Sequence, residues 1–314
     1  MPEPTYWSYD HFPLPLPARH RYPRGRFRVV RETLEARGVL TPNRLRAAAL
    51  EPWEGLALVH TEDYLRQVRE GTLSPPAVRE IGLPWSESLV ERARGAVFAT
   101  RHAAQQALED GAAAVIGGGT HHAFADRGAG YCLFNDIAVA VRALQNAHRV
   151  HRALIVDLDV HQGNGSAAIF ARDRDVFTFS VHGEKNWPHR KTPGDLDLPL
   201  PDGTGDEDYL AAVEGPLREV LDRFRPDLVC YQAGADPLHS DRLGRLALTH
   251  DGLRARDRMV LEACAERMIP LVLTLGGGYG VPMEDTIQAH LGTLEEFERV
   301  FGDGNNNGDN TGGT

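Results

Sequence analysis

Asp159 and His161 stand two residues apart in the run Leu154-Ile155-Val156-Asp157-Leu158-Asp159-Val160-His161-Gln162-Gly163-Asn164-Gly165. In extended backbone, residues two apart project to the same side. A carboxylate and an imidazole aimed at one spot are two-thirds of a three-ligand catalytic zinc site. A lone D-x-H also fits a solvated strand end. Four further stretches carry groups of the same kind: Gly117-Gly118-Gly119-Thr120-His121-His122, Ser180-Val181-His182, Gly234-Ala235-Asp236 and Gly276-Gly277-Gly278-Tyr279. Asp159, His161 and Asp236 together offer two carboxylates and one imidazole, leaving positions open on a zinc ion. Such a metal polarises a carbonyl and lowers the pKa of a bound water. His121 and His122 offer a general base and a general acid or electrostatic stabiliser. Tyr279 offers a phenol to a developing oxyanion. The glycines permit tight turns and close backbone approach. The set suits hydrolysis of an amide.

Elements must bring these groups together. Each stretch follows an apolar run: Ala112 to Ile116, Ala153 to Val156, Val176 to Ser180, Asp227 to Gln232, and Pro270 to Leu275. Helical segments alternate with them, including Asp136 to Ala147, Glu207 to Phe224 and Thr249 to Arg267. This rhythm predicts an α/β protein, with a mainly parallel central sheet covered on both faces in three α/β/α layers. Parallel strands deliver their C-terminal ends to one edge, where ligands bind.

Upstream, Tyr6 to Tyr9 reads as an edge strand and Pro13 to Pro23 as a proline-rich path. Arg24 to Arg37 reads as a helix ended near Gly38. Thr41 is expected to cap a second helix with Pro42 at its first position. Ala57 to His60 reads as a short strand, and Thr61 with Glu62 and Asp63 starts a helix. Gly71 to Pro84 reads as a loop, and Ser86 to Glu109 as a long helix. No linker or internal repeat interrupts the chain, so residues 1–301 form one expected domain. The Gly/Asn-rich segment 302–314 reads as a disordered tail.

The bulk numbers narrow the function. The 314 residues are 42% hydrophobic and 25% charged. No apolar run reaches membrane-spanning length and no secretory leader opens the sequence, so a soluble, cytoplasmic protein is expected. The net charge of -10, from 34 basic and 44 acidic residues, argues against nucleic acid as the main partner. It suits a cationic ligand, or solubility alone. Cys132, Cys230 and Cys264 make neither a disulfide framework nor a thiolate zinc cage.

Five motifs in order carry a family resemblance: Gly118-Gly119-Thr120-His121-His122, Gly130-Tyr131-Cys132-Leu133-Phe134-Asn135-Asp136, Asp157 to Gly165, Gly234-Ala235-Asp236, and Gly276 to Tyr279. From about Tyr6 to about Leu291 the chain resembles the zinc-dependent histone deacetylases of the arginase/deacetylase fold, with their bacterial acetoin-utilisation and acetylpolyamine amidohydrolase relatives. The resemblance implies that Asp159, His161 and Asp236 bind one catalytic Zn²⁺. It implies that His121 and His122 flank the attacking water, with His122 as general base and acid, and that Tyr279 clamps the substrate carbonyl. Asp157 would accept a hydrogen bond from His121. It would also line a structural K⁺ site with Ser180 and the carbonyls of Asp159, His161 and Val181. Phe170, Asp173 and Val176 correspond to a second monovalent-cation site.

Gly130, Tyr131, Leu243 and Gly278 fall along the family's substrate channel, with Trp187 at its rim and Arg26 at its inner end. His182 reads as structural. No role follows for His11, His60, His102, His148, His151, His189, His239, His250 or His290. Asn164 stands where class I members carry an aspartate, and Gln162 to Gly165 resembles class II and class IV. An amide offers imidazolium less than a carboxylate does. Leu243 replaces the gatekeeping carboxylate of polyamine-specific relatives. The first half, with His20, Arg26 and Val59 to Leu65, looks most like class IV. The implied reaction is removal of an acetyl or longer acyl group from an amine, foremost acyl-lysine of a protein or peptide, with an acetylpolyamine or other small amide as the alternative. An arginase-like ureohydrolase would need two manganese ions and more carboxylates than Gln162 and Asn164 allow. A non-catalytic acyl-lysine reader would lack Tyr279, a histidine or a ligand, and all are present.

Overall fold

Eight short strands form one sheet in the computed structural model, which describes residues 3–17 and 19–302. The strands are β1 (Thr5–Ser8), β2 (Leu45–Ala47), β3 (Ala112–Val115), β4 (Ala153–Asp157), β5 (Val176–Gly183), β6 (Leu196–Leu200), β7 (Leu228–Gln232) and β8 (Leu271–Thr274). Every pairing is parallel, in the order β2-β1-β3-β8-β7-β4-β5-β6. The helices are α1 (Arg26–Ala36), α2 (Trp53–Leu56), α3 (Glu62–Glu70), α4 (Pro75–Ile81), α5 (Glu87–Asp110), α6 (Asp136–Asn146), α7 (Asn164–Phe170), α8 (Asp206–Phe224), α9 (His250–Glu266) and α10 (Met283–Phe301).

Strand parity sorts the core into two layers. Leu154, Val156, Val229, Tyr231, Leu271 and Leu273 pack with residues of α1, α8, α9 and α10. Ala153, Ile155, Leu228, Cys230 and Val272 face the other way, onto α5, α6 and Phe170 of α7. Both sides are buried, so the strands read as continuous apolar runs rather than alternating ones. Connections running one way along the sheet use α6 and α7 on one face. Those returning use α8 and α9 on the other, as right-handed crossovers require. The chain therefore leaves β4 toward one face and β7 toward the other. Such a switch point opens a crevice beyond the strand ends.

Several local expectations are corrected. β1 is not an edge strand, because β2 pairs with its outer side, Tyr6 opposite Leu45. Thr41 starts no helix: Arg44 N–H donates to Thr41 O in a turn (3.0 Å), and the next three residues fill that open edge. Tertiary pairing overrides local propensity here. Ala57 to His60 is a turn after α2 rather than a strand, with Leu58 exposed. A four-residue apolar run cannot distinguish the two by periodicity. Gly71 to Pro84 is not all loop. Pro75 and Pro76 open α4 behind a Ser74 cap, whose Oγ accepts from Ala77 N–H at 3.3 Å. Proline there initiates the helix rather than breaking it. β6, α7 and α10 add to the elements expected from sequence. The expected tail lies, from residue 303 on, outside the described residues.

Candidate metal centre and active site

The central neighbours β3, β8, β7 and β4 each end in one of the chemical stretches. Beyond Asp157 the chain bends at residues 159–161 instead of continuing as extended strand. The extended-backbone premise for Asp159 and His161 is thus replaced by a tight turn, and the two side chains still converge. Asp159 N–H donates to Asp157 Oδ1 (3.2 Å) and His161 N–H to Asp159 Oδ1 (3.0 Å), which closes the turn. Val160 N–H donates to Asp236 Oδ1 at 2.9 Å and draws in the loop after β7.

One ligand atom from each of Asp159, His161 and Asp236 falls within 4.8 Å of the others. His161 Nδ1 lies 3.1 Å from Asp159 Oδ1 and 3.0 Å from Asp236 Oδ2. The three residues are 1%, 7% and 0% exposed. Gly277 covers them: its N–H donates to Asp159 Oδ2 at 2.8 Å, and a Cβ there would stand 2.1 Å from Asp236 Oδ2. Burial and the Asp159 charge push Asp236 up to about 7. Burial would also raise Asp159, but His121 and His161 hold it well below the usual carboxylate range. Two carboxylates packed this tightly out of water call for a cation between them. The O, N, O donor set fits Zn²⁺ with positions left open.

The histidine pair hangs on the turn after β3. Asp136, at the start of α6, ties that turn down. Its carboxylate accepts from Gly119 N–H (2.8 Å), Thr120 N–H (2.7 Å), Thr120 Oγ1 (2.8 Å) and Thr100 Oγ1 (2.7 Å). His121 Nδ1 lies 2.7 Å from Asp157 Oδ2. His122 Nδ1–H donates to Asn164 Oδ1 at 2.8 Å, which leaves Nε2 with its lone pair. The two environments differ. Burial pulls His121 down, yet Asp157 and Asp159 outweigh it and raise the group to about 9. Burial, with His121 and His161 beside it, holds His122 well below the ordinary imidazole value. One ring is set up as a cation and its neighbour as a neutral base.

Tyr279 completes the ring, 6.4 Å from His161 between centroids. Asp241 Oδ2 accepts its backbone N–H at 2.5 Å, and Arg242 Nε donates to its carbonyl at 3.1 Å. Burial keeps its phenol protonated by raising its pKa. A cavity of about 50 Å³ is lined by Asp159, His161, Asp236, His121, His122 and Tyr279, with Gly130 and Tyr131 on its wall. Arg26, 3% exposed, also lines it, with Tyr9 and Tyr22, two residues that sequence reasoning missed. Trp187 stands edge-on to His122 at 4.6 Å, and Gly130 leaves the room it needs. Leu243 and Gly278 do not line this cavity. Leu243 instead gives its carbonyl to Asn186 Nδ2 (2.6 Å), and Gly278 faces Thr286, Ala235 and His290.

Asp157 and Ser180 line a separate buried cavity of about 10 Å³ with Gln162, Thr178 and Asp197. Asp159, His161 and Val181 are not part of its lining. Ser180 Oγ also bonds His182 Nδ1 (2.9 Å), so His182 is tied into the fold. Asp173, expected near a second cation, is paired with Arg142. Beyond Arg26 a wider cleft of about 870 Å³ opens, lined by Arg21, Arg24, Arg28, Arg31, Arg92 and Arg242.

The chain is similar in sequence and in fold to known proteins. The family model for the histone deacetylase domain matches residues 20–294. An uncharacterized protein of Picosynechococcus is 45% identical over 276 residues, 88% of this chain and 92% of its own. The histone deacetylase-like amidohydrolase of Pseudomonas aeruginosa is 32% identical over 80% of this chain and 70% of its own. The acetoin utilization protein AcuC of Bacillus subtilis is 32% identical over 73% and 65%. Among solved structures, an HDAC homolog complexed with SAHA superposes with a TM-score of 0.77 at 26% identity, over 94% of this chain and 84% of its own.

Proposed function

The chain belongs to the histone deacetylase family, and from that premise we propose that it is a zinc-dependent amidohydrolase that removes acyl groups from lysine side chains of peptides or proteins. The observation that carries the reading is the convergence of Asp159, His161 and Asp236 beside a His122 Nε2 with no other duty. When bound, a zinc ion would polarise the amide carbonyl and acidify the attacking water. His122 Nε2 takes the water's proton as oxygen adds to the carbonyl carbon. The Tyr279 hydroxyl donates to the carbonyl oxygen as that atom gains charge. His121, hydrogen-bonded to Asp157, would stabilise the same negative charge when protonated. The C–N bond then breaks as protonated His122 returns its proton to the departing nitrogen. A carboxylic acid and a free amine result. Tyr131 and Trp187 would flank the aliphatic stem of the substrate. A monovalent cation, K⁺ for preference, would sit behind Asp157 and Ser180 and stiffen the β4 loop.

Acylated lysine is favoured over acetylpolyamine by the rim. Leu243 takes the sequence position of the gatekeeping carboxylate of polyamine-specific relatives, and exposed Arg21 and Arg242 lie near Tyr131. Both would repel a polycation. The test is a panel of acyl-lysine peptides and acetylpolyamines given to the purified protein with and without chelator. Peptide turnover that chelation or His161→Ala abolishes is expected. Turnover indifferent to both, or confined to acetylpolyamines, would overturn the proposal.

A further inference from the structure

Arg256, in α9, is 0% exposed and lines none of the pocket around the histidines. Its Nη1 donates to two backbone carbonyls, Leu158 O at 3.1 Å and Gly234 O at 2.6 Å. Leu158 precedes Asp159, and Gly234 lies two residues before Asp236. The β4–β7 ladder ends at Asp157 opposite Gln232. Past that point the two strands part, and their carbonyls need another donor. One guanidinium supplies it to both chains.

The guanidinium is itself held. Its Nε donates to Asp257 Oδ1 at 2.8 Å. Asp257 is also 0% exposed, and accepts from Tyr231 in β7 (2.5 Å) and from Thr293 Oγ1 in α10 (2.6 Å). A buried ion pair of this kind is often matched or bettered in stability by apolar side chains of similar volume. Apolar side chains could not donate to the Leu158 and Gly234 carbonyls. Lysine, a point charge on a flexible stem, lacks the rigid fork that can hold Asp257 and the carbonyls at once.

We propose that Arg256 is a positioning residue, a clamp on the Leu158 and Gly234 carbonyls that sets the spacing of Asp159 and Asp236 for a divalent metal, with Asp257 fixing its orientation. This rests on the metal-site reading above. Groups that orient metal ligands from behind typically change affinity or activity by about 10–100-fold when removed.

The test uses the full chain, Zn²⁺ competition against a chromophoric chelator, and the visible spectrum of the Co²⁺-substituted protein. The double variant Arg256→Met/Asp257→Leu removes the pair without stranding either charge. It leaves the Leu158 and Gly234 carbonyls and the Tyr231 hydroxyl without these partners, so it is expected to melt below the wild type when metal-free. It should bind Zn²⁺ about tenfold or more weaker, with an altered Co²⁺ spectrum. Wild-type affinity and spectrum in this variant would overturn the clamp. If it does not fold, Arg256→Lys, which keeps a cation beside Asp257, gives the same readout: weaker metal binding supports the clamp and unchanged binding overturns it. Asp236→Asn separates the two readings. Should it bind Zn²⁺ as the wild type does, the metal site itself is wrong and the clamp falls with it.

Discussion

Asn164 is the hydrogen-bond partner of the His122 ring on the side away from its free Nε2. Its amide oxygen accepts the Nδ1–H but lends no negative charge to an imidazolium. Replacing it with a carboxylate should raise the pKa of His122. A general base works only when deprotonated, so the acid limb of kcat/KM is expected to move to higher pH in Asn164→Asp. A pH–rate profile superimposable on the wild type would remove His122 from the base role. Tyr279→Phe deletes one donor to the oxyanion and should lower kcat by about 10²–10³-fold while leaving peptide binding nearly intact. Single-turnover kinetics distinguish that outcome from a binding defect.

At the scale of elements, the loops are held by buried polar anchors that sequence reasoning left without a role. Asp136 pins the turn after β3 from the start of α6. Asp136→Ala would leave several buried donors unpaired and is expected to cost at least about 3 kcal/mol in urea unfolding. His60 is a second anchor. Its Nδ1–H donates to Phe124 O (3.0 Å) and its Nε2 accepts from Asn135 N–H (3.0 Å), so the neutral ring joins α6 to the loop after the histidine pair. Burial lowers its pKa to about 4, and burial does the same to His182. Below about 6.5 the unfolded chain takes up protons that these folded groups refuse. Their contribution is therefore intact above that pH and shrinks as pH falls toward 4. Thermal melts from pH 7.5 to 4.5 should show this decline, and His60→Gln should make it shallower. An equal slope in the variant would contradict the assignment.

For the whole molecule, a metal at this site joins segments delivered by β4 and β7, so binding and folding are coupled. Loading at 1,000 times Kd would add about 4 kcal/mol. Calorimetry is expected to show a rise of several degrees in melting temperature with Zn²⁺, reversed by chelator. Without metal, burial first and then Asp159 hold Asp236 at about 7. His161 is raised to about 10, its carboxylate hydrogen bonds outweighing burial. Metal entry near neutral pH is therefore expected to release protons, His161 first, and affinity should fall as pH drops below about 10 and more steeply below about 7. Titrations in buffers of different ionisation enthalpy measure the release; a proton count of zero would refute it. No helix among the described residues is long and apolar enough to cross a membrane.

The amino-acid sequence by itself determined the parallel α/β architecture and the family. Long apolar runs buried on both sheet faces carry a strong signal, and the chemical stretches sit directly after them. It also named Asp159, His161, Asp236, the histidine pair and Tyr279 as one set, because their types make sense only together. Tertiary structure decided what local pattern could not. A vacant sheet edge turned the segment after Thr41 into β2, and a bend rather than a strand aimed Asp159 and His161. Leu243 and Gly278 are not among the residues that line the cavity, whereas Tyr9, Tyr22 and Arg26 are. Asp136, His60 and Arg256 act on backbone groups far away in sequence. Hydrogen bonds to a distant main chain leave no trace in periodicity or spacing, so only the folded chain reveals them.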